Sequence, residues 1–272
     1  MGRKVFIINC VLAIAFIAGC DWIPRVKYTR QVNLTVPAGQ AELFTAKTHN
    51  GKITIKGSET TDCNLTATIL VRAYTEENAK KIAEQVKIDL MPEGNSINVR
   101  IEKSGISKFA QISVDLDANL PAGMNLSLKS HNGKISSSNI IGTIMAVTHN
   151  GKITVTDAAG GADLSTHNGK IEYTGVLADL KFETHNGSAD ITCTGQSAKP
   201  CEINAETHNG NIVFTAPESS SAAIDASTHN GSIQTSLPVA VSGKIGKNLK
   251  GTLGDGRDKL YLKTHNGSIK IK

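Results

Sequence analysis

The chain has 272 residues, with 29 Lys and Arg against 24 Asp and Glu and a formal net charge of +5. That balance is too slight for a nucleic-acid-binding surface, and 4% aromatic residues leave few rings on which bases or sugars would stack. A chain this long buries a core, but abundant glycine and scarce aromatics point to a narrow, extended one.

The first segment reads as an export signal. Arg3 and Lys4 precede the apolar run Val5–Ala18, which is too short for a membrane span of about 20 residues. Ile17-Ala18-Gly19-Cys20 resembles the lipobox of bacterial lipoproteins. The resemblance implies cleavage after residue 19, diacylglycerol on the Cys20 sulfur and a fatty-acyl group such as palmitate on the new N-terminus. Loss of Arg3 and Lys4 lowers the formal charge to about +3. The expected location is the cell envelope, lipid-anchored. Asp21 resembles an inner-membrane retention signal, which would put the chain on the periplasmic face; without that rule the site is the outer membrane or cell surface. Residues 20–31 read as a lipidated tether.

Residues 32–129 read as an N-terminal cap region. Val32–Val36 alternates, and Pro37-Ala38-Gly39 turns the chain. Leu65, Ala67, Ile69 and Val71 alternate at strand period. Across 76–86 the period changes: Ala79, Ile82, Ala83 and Val86 fall at helical spacing, with Thr75 as N-cap. Strands follow near Ile97–Glu102 and Gln111–Asp117, and Pro121-Ala122-Gly123 repeats the earlier lead-in.

Residues 130–272 are a repeat array. Thr-His-Asn-Gly stands at Thr48–Gly51, Thr148–Gly151, Thr166–Gly169, Thr184–Gly187, Thr207–Gly210, Thr228–Gly231 and Thr264–Gly267, with a Ser-led copy at Ser130–Gly133. All eight histidines lie in these copies. His131, His149, His167 and His185 are spaced by eighteen residues; the later steps are 23, 21 and 36. A short fixed period means a solenoid or array. Residues one, three and five before each His, and four after it, include Thr148, Ala146, Ile144 and Ile153 in one copy and Thr166, Leu164, Ala162 and Ile171 in the next. Each repeat is thus two period-2 strands, each with one buried face. The expected fold is all-β, a right-handed parallel β-solenoid of about 18-residue, two-strand coils. The alternative is an antiparallel β-meander with Asn-Gly hairpin turns, which would leave a long one-faced sheet uncovered.

The repeated Thr-x-Asn-Gly-x-Ile turns, the Pro-Ala-Gly lead-ins, the Thr-Glu-Glu-Asn-Ala helix start and the ending Thr-His-Asn-Gly-Ser-Ile resemble the bacterial "putative adhesin" family of envelope domains, from Val32 to Lys272. The resemblance implies a β-solenoid, a cell-envelope role and no catalytic residue. The histidine departs from it, since that family more often carries Ser or another small polar residue there.

The corner residues are Asn132 and Gly133, Asn150 and Gly151, Asn168 and Gly169, Asn186 and Gly187, Asn209 and Gly210, Asn230 and Gly231, and Asn266 and Gly267. Gly adopts φ > 0 freely and Asn tolerates it, so the pair is expected to turn the chain by that route. Stacked Asn side chains would form an amide ladder. A solenoid stacks His131, His149, His167, His185, His208 and His229 in a column about 4.8 Å apart. Neighbouring imidazoles in such a column are candidates for Zn or Cu, although no Cys or carboxylate recurs beside them to complete a tetrahedral set. No other cofactor is expected. Lys52, Lys134, Lys152 and Lys170 follow Gly in four copies, a basic stripe that either protects strand edges or meets an anionic partner such as lipopolysaccharide or another envelope polymer. Another envelope protein is the remaining partner class, beside the membrane reached through the lipid. Of the cysteines, Cys193 and Cys201 flank a short loop and are expected to pair, leaving Cys63 over. No Ser/His/Asp triad assembles when every His occupies the same repeated turn, so the expected role is non-enzymatic: adhesin-like binding or structural support, or else a metal- or pH-responsive use of the histidines.

Overall fold

The computed structural model describes residues 26–103, 105, 110–217, 219–242 and 246–272. The export signal and Cys20 lie outside the described residues. The N-proximal part comprises β1 (Val26–Pro37), β2 (Leu43–Asn50), β3 (Ile53–Ser58), β4 (Asp62–Ala73), α1 (Glu76–Gln85), β5 (Val86–Glu93), β6 (Ser96–Lys103) and β7 (Gln111–Pro121). The tether expected up to residue 31 therefore ends earlier, because Val26–Gln31 already pair with β4. Thr75 caps α1, its hydroxyl accepting from the Asn78 N–H at 3.2 Å. At the other end Arg30, on β1, donates to the carbonyls of Ala83 and Val86 at 2.9 and 3.0 Å, satisfying groups that a helix terminus leaves open.

The strands then alternate across a corner: β8 (Asn125–Asn132) and β9 (Ile135–Ser138), β10 (Ile144–Asn150) and β11 (Ile153–Ala158), β12 (Ala162–Asn168) and β13 (Ile171–Val176), β14 (Leu180–Asn186) and β15 (Ala189–Gly195), β16 (Glu202–Asn209) and β17 (Ile212–Thr215). After these come β18 (Ala222–Thr228), β19 (Ile233–Thr235), β20 (Ala240–Val241), β21 (Asn248–Leu253), β22 (Asp258–Asn266) and β23 (Ile269–Ile271). Strands before a corner join one 12-stranded sheet and strands after it an 11-stranded sheet. Successive coils pair in parallel and in register, for example Thr148 with Thr166 and Ile153 with Ile171. The fold is thus the all-β solenoid, and the antiparallel meander is excluded for the array. Antiparallel pairing is confined to its flanks, at β1–β4–β7, β5–β6 and β18–β21–β20. Both sheets run without a break across residues 129 and 130, since β2 and β3 form the first coil of the same stack.

The core lies between the sheets. The positions five and three before each His, and four after it, are buried throughout, including Phe44, Leu128, Ile153, Leu164, Phe182 and Ile212. Phe182 meets Tyr173 with ring centroids 5.4 Å apart.

The stacking order departs from the sequence order at the C-terminal end. β22 lies between β16 and β18, and β23 between β17 and β19. The last coil is thus interposed between two earlier ones. Asp258 at its start is buried and accepts a hydrogen bond from the Cys201 N–H at 3.1 Å. Within the 36-residue step from His229 to His265, Asn248 opens β21, which pairs antiparallel with β18.

The disulfide expected between Cys193 and Cys201 is not formed. Both are buried free thiols, as is Cys63. Burial pushes the Cys193 thiol up to about 12, with Cys201 contributing, the Cys201 thiol up to about 12, with Asp258 contributing, and Cys63 up to about 11. They stay protonated and behave as small core residues rather than nucleophiles.

Candidate functional site: a polar ladder and its groove

Three columns meet along one edge of the stack. The first is made by the corner glycines. Only Gly51 has a left-handed φ, +135°; the others named above do not. The expectation that Asn-Gly turns by positive φ is therefore corrected. Glycine is needed because the coils approach so closely: a Cβ on Gly169 would lie 1.9 Å from the carbonyl oxygen of Gly151, and the same collision recurs at Gly133, Gly151, Gly187, Gly210, Gly231 and Gly267. Into that approach the preceding Thr sends its hydroxyl, donating to the glycine carbonyl one coil away at 2.8–3.0 Å from Thr148, Thr166, Thr184, Thr207, Thr228 and Thr264.

The second column is the amide ladder. Asn132, Asn150, Asn168, Asn186, Asn209, Asn266 and Asn230 each donate Nδ2 to the Oδ1 of the neighbouring Asn at 2.7–2.9 Å, starting on Asn50. All donors point the same way along the stack.

The histidines form the third column. Five contacts join His49, His131, His149, His167, His185 and His208, with ring centroids 4.7–4.9 Å apart and planes within 25°. His49 was not expected in the column, because 82 residues separate it from His131; β2 nonetheless pairs directly with β8. His229 does not follow His208. His265 comes between them, edge-on to both at 80° and 84°. Its Nδ1 is buried without a hydrogen-bond partner. Burial, with His208 and His229 beside it, holds its imidazole below the usual histidine range. Among the described residues, no group of three or more His, Cys, Asp or Glu side chains converges as a ready metal set.

The His column and the residues two positions before it line a long groove on the outside of the 12-stranded sheet. Seven steps of the histidine column make it about 34 Å long. Val99, Ile101 and Lys103 wall one end, and Lys247 and Asn248 the other. The basic stripe around the corner is a different surface. Lys52 pairs with Asp117 at 3.3 Å, Lys152 with Glu172 at 2.5 Å, and Lys170 with Glu172 and Asp190 at 3.0 and 2.5 Å. The Lys152 and Lys170 contacts hold the Glu172 carboxyl below the ordinary glutamate value. Lys52, Lys152 and Lys170 are thus paired with carboxylates on the outward face of the 11-stranded sheet, whereas Lys134 has no such partner among the described residues.

The structure is therefore a two-sheet β-solenoid that carries a corner ladder of Thr, Asn and His beside an open groove. The chain belongs to the Toastrack family, DUF4097, whose profile matches residues 19–272. Among solved structures it is similar to a "putative cell adhesion protein" from Clostridium sporogenes, at 15% identity and TM-score 0.38, covering 90% of this chain and 99% of that one. It is also similar to a "putative adhesin" from Bacteroides fragilis, at 11% identity and TM-score 0.44, covering 89% and 97%. A "putative lipid binding protein" from Parabacteroides distasonis matches at 14% identity and TM-score 0.40, covering 89% and 97%. No curated protein matches the chain.

Proposed function

We propose that the protein is a non-enzymatic, lipid-anchored envelope module, adhesin-like, which binds or braces an extended envelope partner along the histidine-lined groove. The observation that carries this reading is the continuity of the groove over eight coils, which suits an extended partner and not a compact substrate. Anchoring follows from the lipobox: labelled palmitate is expected to be incorporated into the wild type and lost in Cys20→Ser, which should also leave the membrane fraction. Binding is tested with purified full chain on an array of envelope polymers, followed by analysis of the bound polymer. Retention without cleavage is expected, and turnover of any polymer would sink the reading.

A second reading, a metal- or pH-responsive module, is favoured by one observation, the unpartnered Nδ1 of His265 between His208 and His229. Its depressed pKa means that the folded state resists protonation there. The corresponding stability is present above the unfolded value of about 6.5 and is lost as pH falls below it. Lys247 and Lys263, which line the same stretch of groove, add to the repulsion on protonation. The melting temperature should fall as pH is lowered below about 6.5, and His265→Gln should flatten that fall. For metal, calorimetry with Zn²⁺ and Cu²⁺ decides: binding no tighter than about 1 mM excludes it.

A further inference from the structure

In the groove, the column two residues before the histidines is not evenly charged. It runs Lys47, Lys129, Val147, Ser165, Glu183 and Glu206 before reaching the last coils. Lys47 and Lys129 are partners in register on β2 and β8, so they sit side by side at the strand spacing of about 4.8 Å. Like charges placed directly across neighbouring strands destabilise a sheet. On the other sheet the same chain avoids that cost by interleaving Lys152 and Lys170 with Glu172 and Asp190. Here it does not: neither Lys47 nor Lys129 has a carboxylate partner among the described residues.

A third lysine joins them. β6 pairs with β2 only from Leu43 to Thr45, and past that pairing Val99, Ile101 and Lys103 line the same groove as Lys47 and His49. Partial burial lowers the Lys103 pKa, and no carboxylate is paired with it among the described residues. The nearby acids are engaged elsewhere: Glu102 pairs with Arg100 at 2.9 Å, and Asp89 lies opposite Arg100 on β5.

We propose that Lys47, Lys129 and Lys103 form an anion-binding subsite at the N-proximal end of the groove, and that it takes the carboxylate or phosphate of an acidic polysaccharide whose charged units lie at that end, short of the in-register pair Glu183 and Glu206. An anion set between the lysines would turn their mutual repulsion into attraction. A polysaccharide fits better than a lipid, because past the subsite the column is polar apart from Val147 and offers no apolar strip for acyl chains. The inference rests on the groove being the binding surface, as proposed above.

The test uses the full chain and fluorescence anisotropy with labelled polygalacturonate, a neutral glucan of equal length, and vesicles containing phosphatidylglycerol. Polygalacturonate should bind, with an affinity that falls as salt is raised, and Lys47→Gln/Lys129→Gln should weaken it at least about tenfold. Lys52→Gln/Lys152→Gln, which removes the same charge from the paired stripe, should not. Equal loss in both double variants, or no loss in the first, overturns the subsite; so does binding to the vesicles in preference to polygalacturonate. If the neutral glucan binds and polygalacturonate does not, the subsite falls while the groove reading stands. If neither polymer binds, both fall.

Discussion

Gly169→Ala is expected to destabilise the solenoid by on the order of 3 kcal/mol, at the upper end of what overpacking costs. The added methyl would stand 1.9 Å from the Gly151 carbonyl oxygen and 3.1 Å from the Thr166 hydroxyl oxygen. Both are held in place, the carbonyl being the acceptor of Thr166 at 3.0 Å. No flexible side chain is available to move aside, so the coils must separate at that corner. Separation strains the Asn150–Asn168 rung at 2.7 Å and the backbone pairing on either side. Gly123→Ala is the matched control: a Cβ there meets nothing within 4 Å, and its φ is not left-handed. It should stay within about 0.5 kcal/mol of wild type. Urea unfolding of both variants measures the difference, and equal stabilities would refute the close-approach account of the corner.

Phe182→Ala should cost about 3–5 kcal/mol, the range for removing a fully buried aromatic ring. Phe182 is 0% exposed, in the middle of the stack, and packs on Tyr173 from the opposite sheet. A solenoid's stability is approximately a sum of coils and nearest-neighbour interfaces. Loss at a central coil should therefore uncouple the two ends as well as lower the total. Calorimetry is expected to resolve the variant's melting into two transitions where the wild type shows one. A single transition at an unchanged temperature would mean that neighbouring side chains fill the space.

Much of the fold was legible because its period is short. Stacking the copies on their histidines placed Ile135, Ile153, Ile171 and Ile212 in one buried column and Leu128, Leu164 and Phe182 in another, and the structure buries them all. The helix was legible for a different reason, since Thr75 and the Ala79–Ala83 spacing break the strand period. The role of the corner glycines was misread. A residue's type says that a side chain is excluded, but not whether φ or a neighbouring backbone excludes it. The ion pairs of the lysine stripe were not drawn from the sequence, although Lys170 and Glu172 share an outward parity. The interposed last coil was not legible at all. Ala226 and Thr228 of β18 and Leu262 and Thr264 of β22 occupy equivalent registers, so either strand satisfies β16. What separates them is β21, which folds back antiparallel onto β18 and occupies its outer edge.

That interposed coil bears on how the protein is made. A solenoid in chain order can grow as it emerges from a ribosome or translocation channel, each coil templating the next. Here growth of that kind halts at β17. The coil from Ala222 to Thr235 emerges earlier; β21 can pair with its outer edge, but it has no coil to stack on at its inner edge until Asp258–Ile271 arrives to fill the place between. Direct stacking of β18 on β16 in the meantime would be an in-register mispairing, with threonine on threonine and asparagine on asparagine, that the arriving strands must undo. Completion of the far end therefore waits on Asp258–Ile271, and a chain interrupted before that segment could stack in the wrong order.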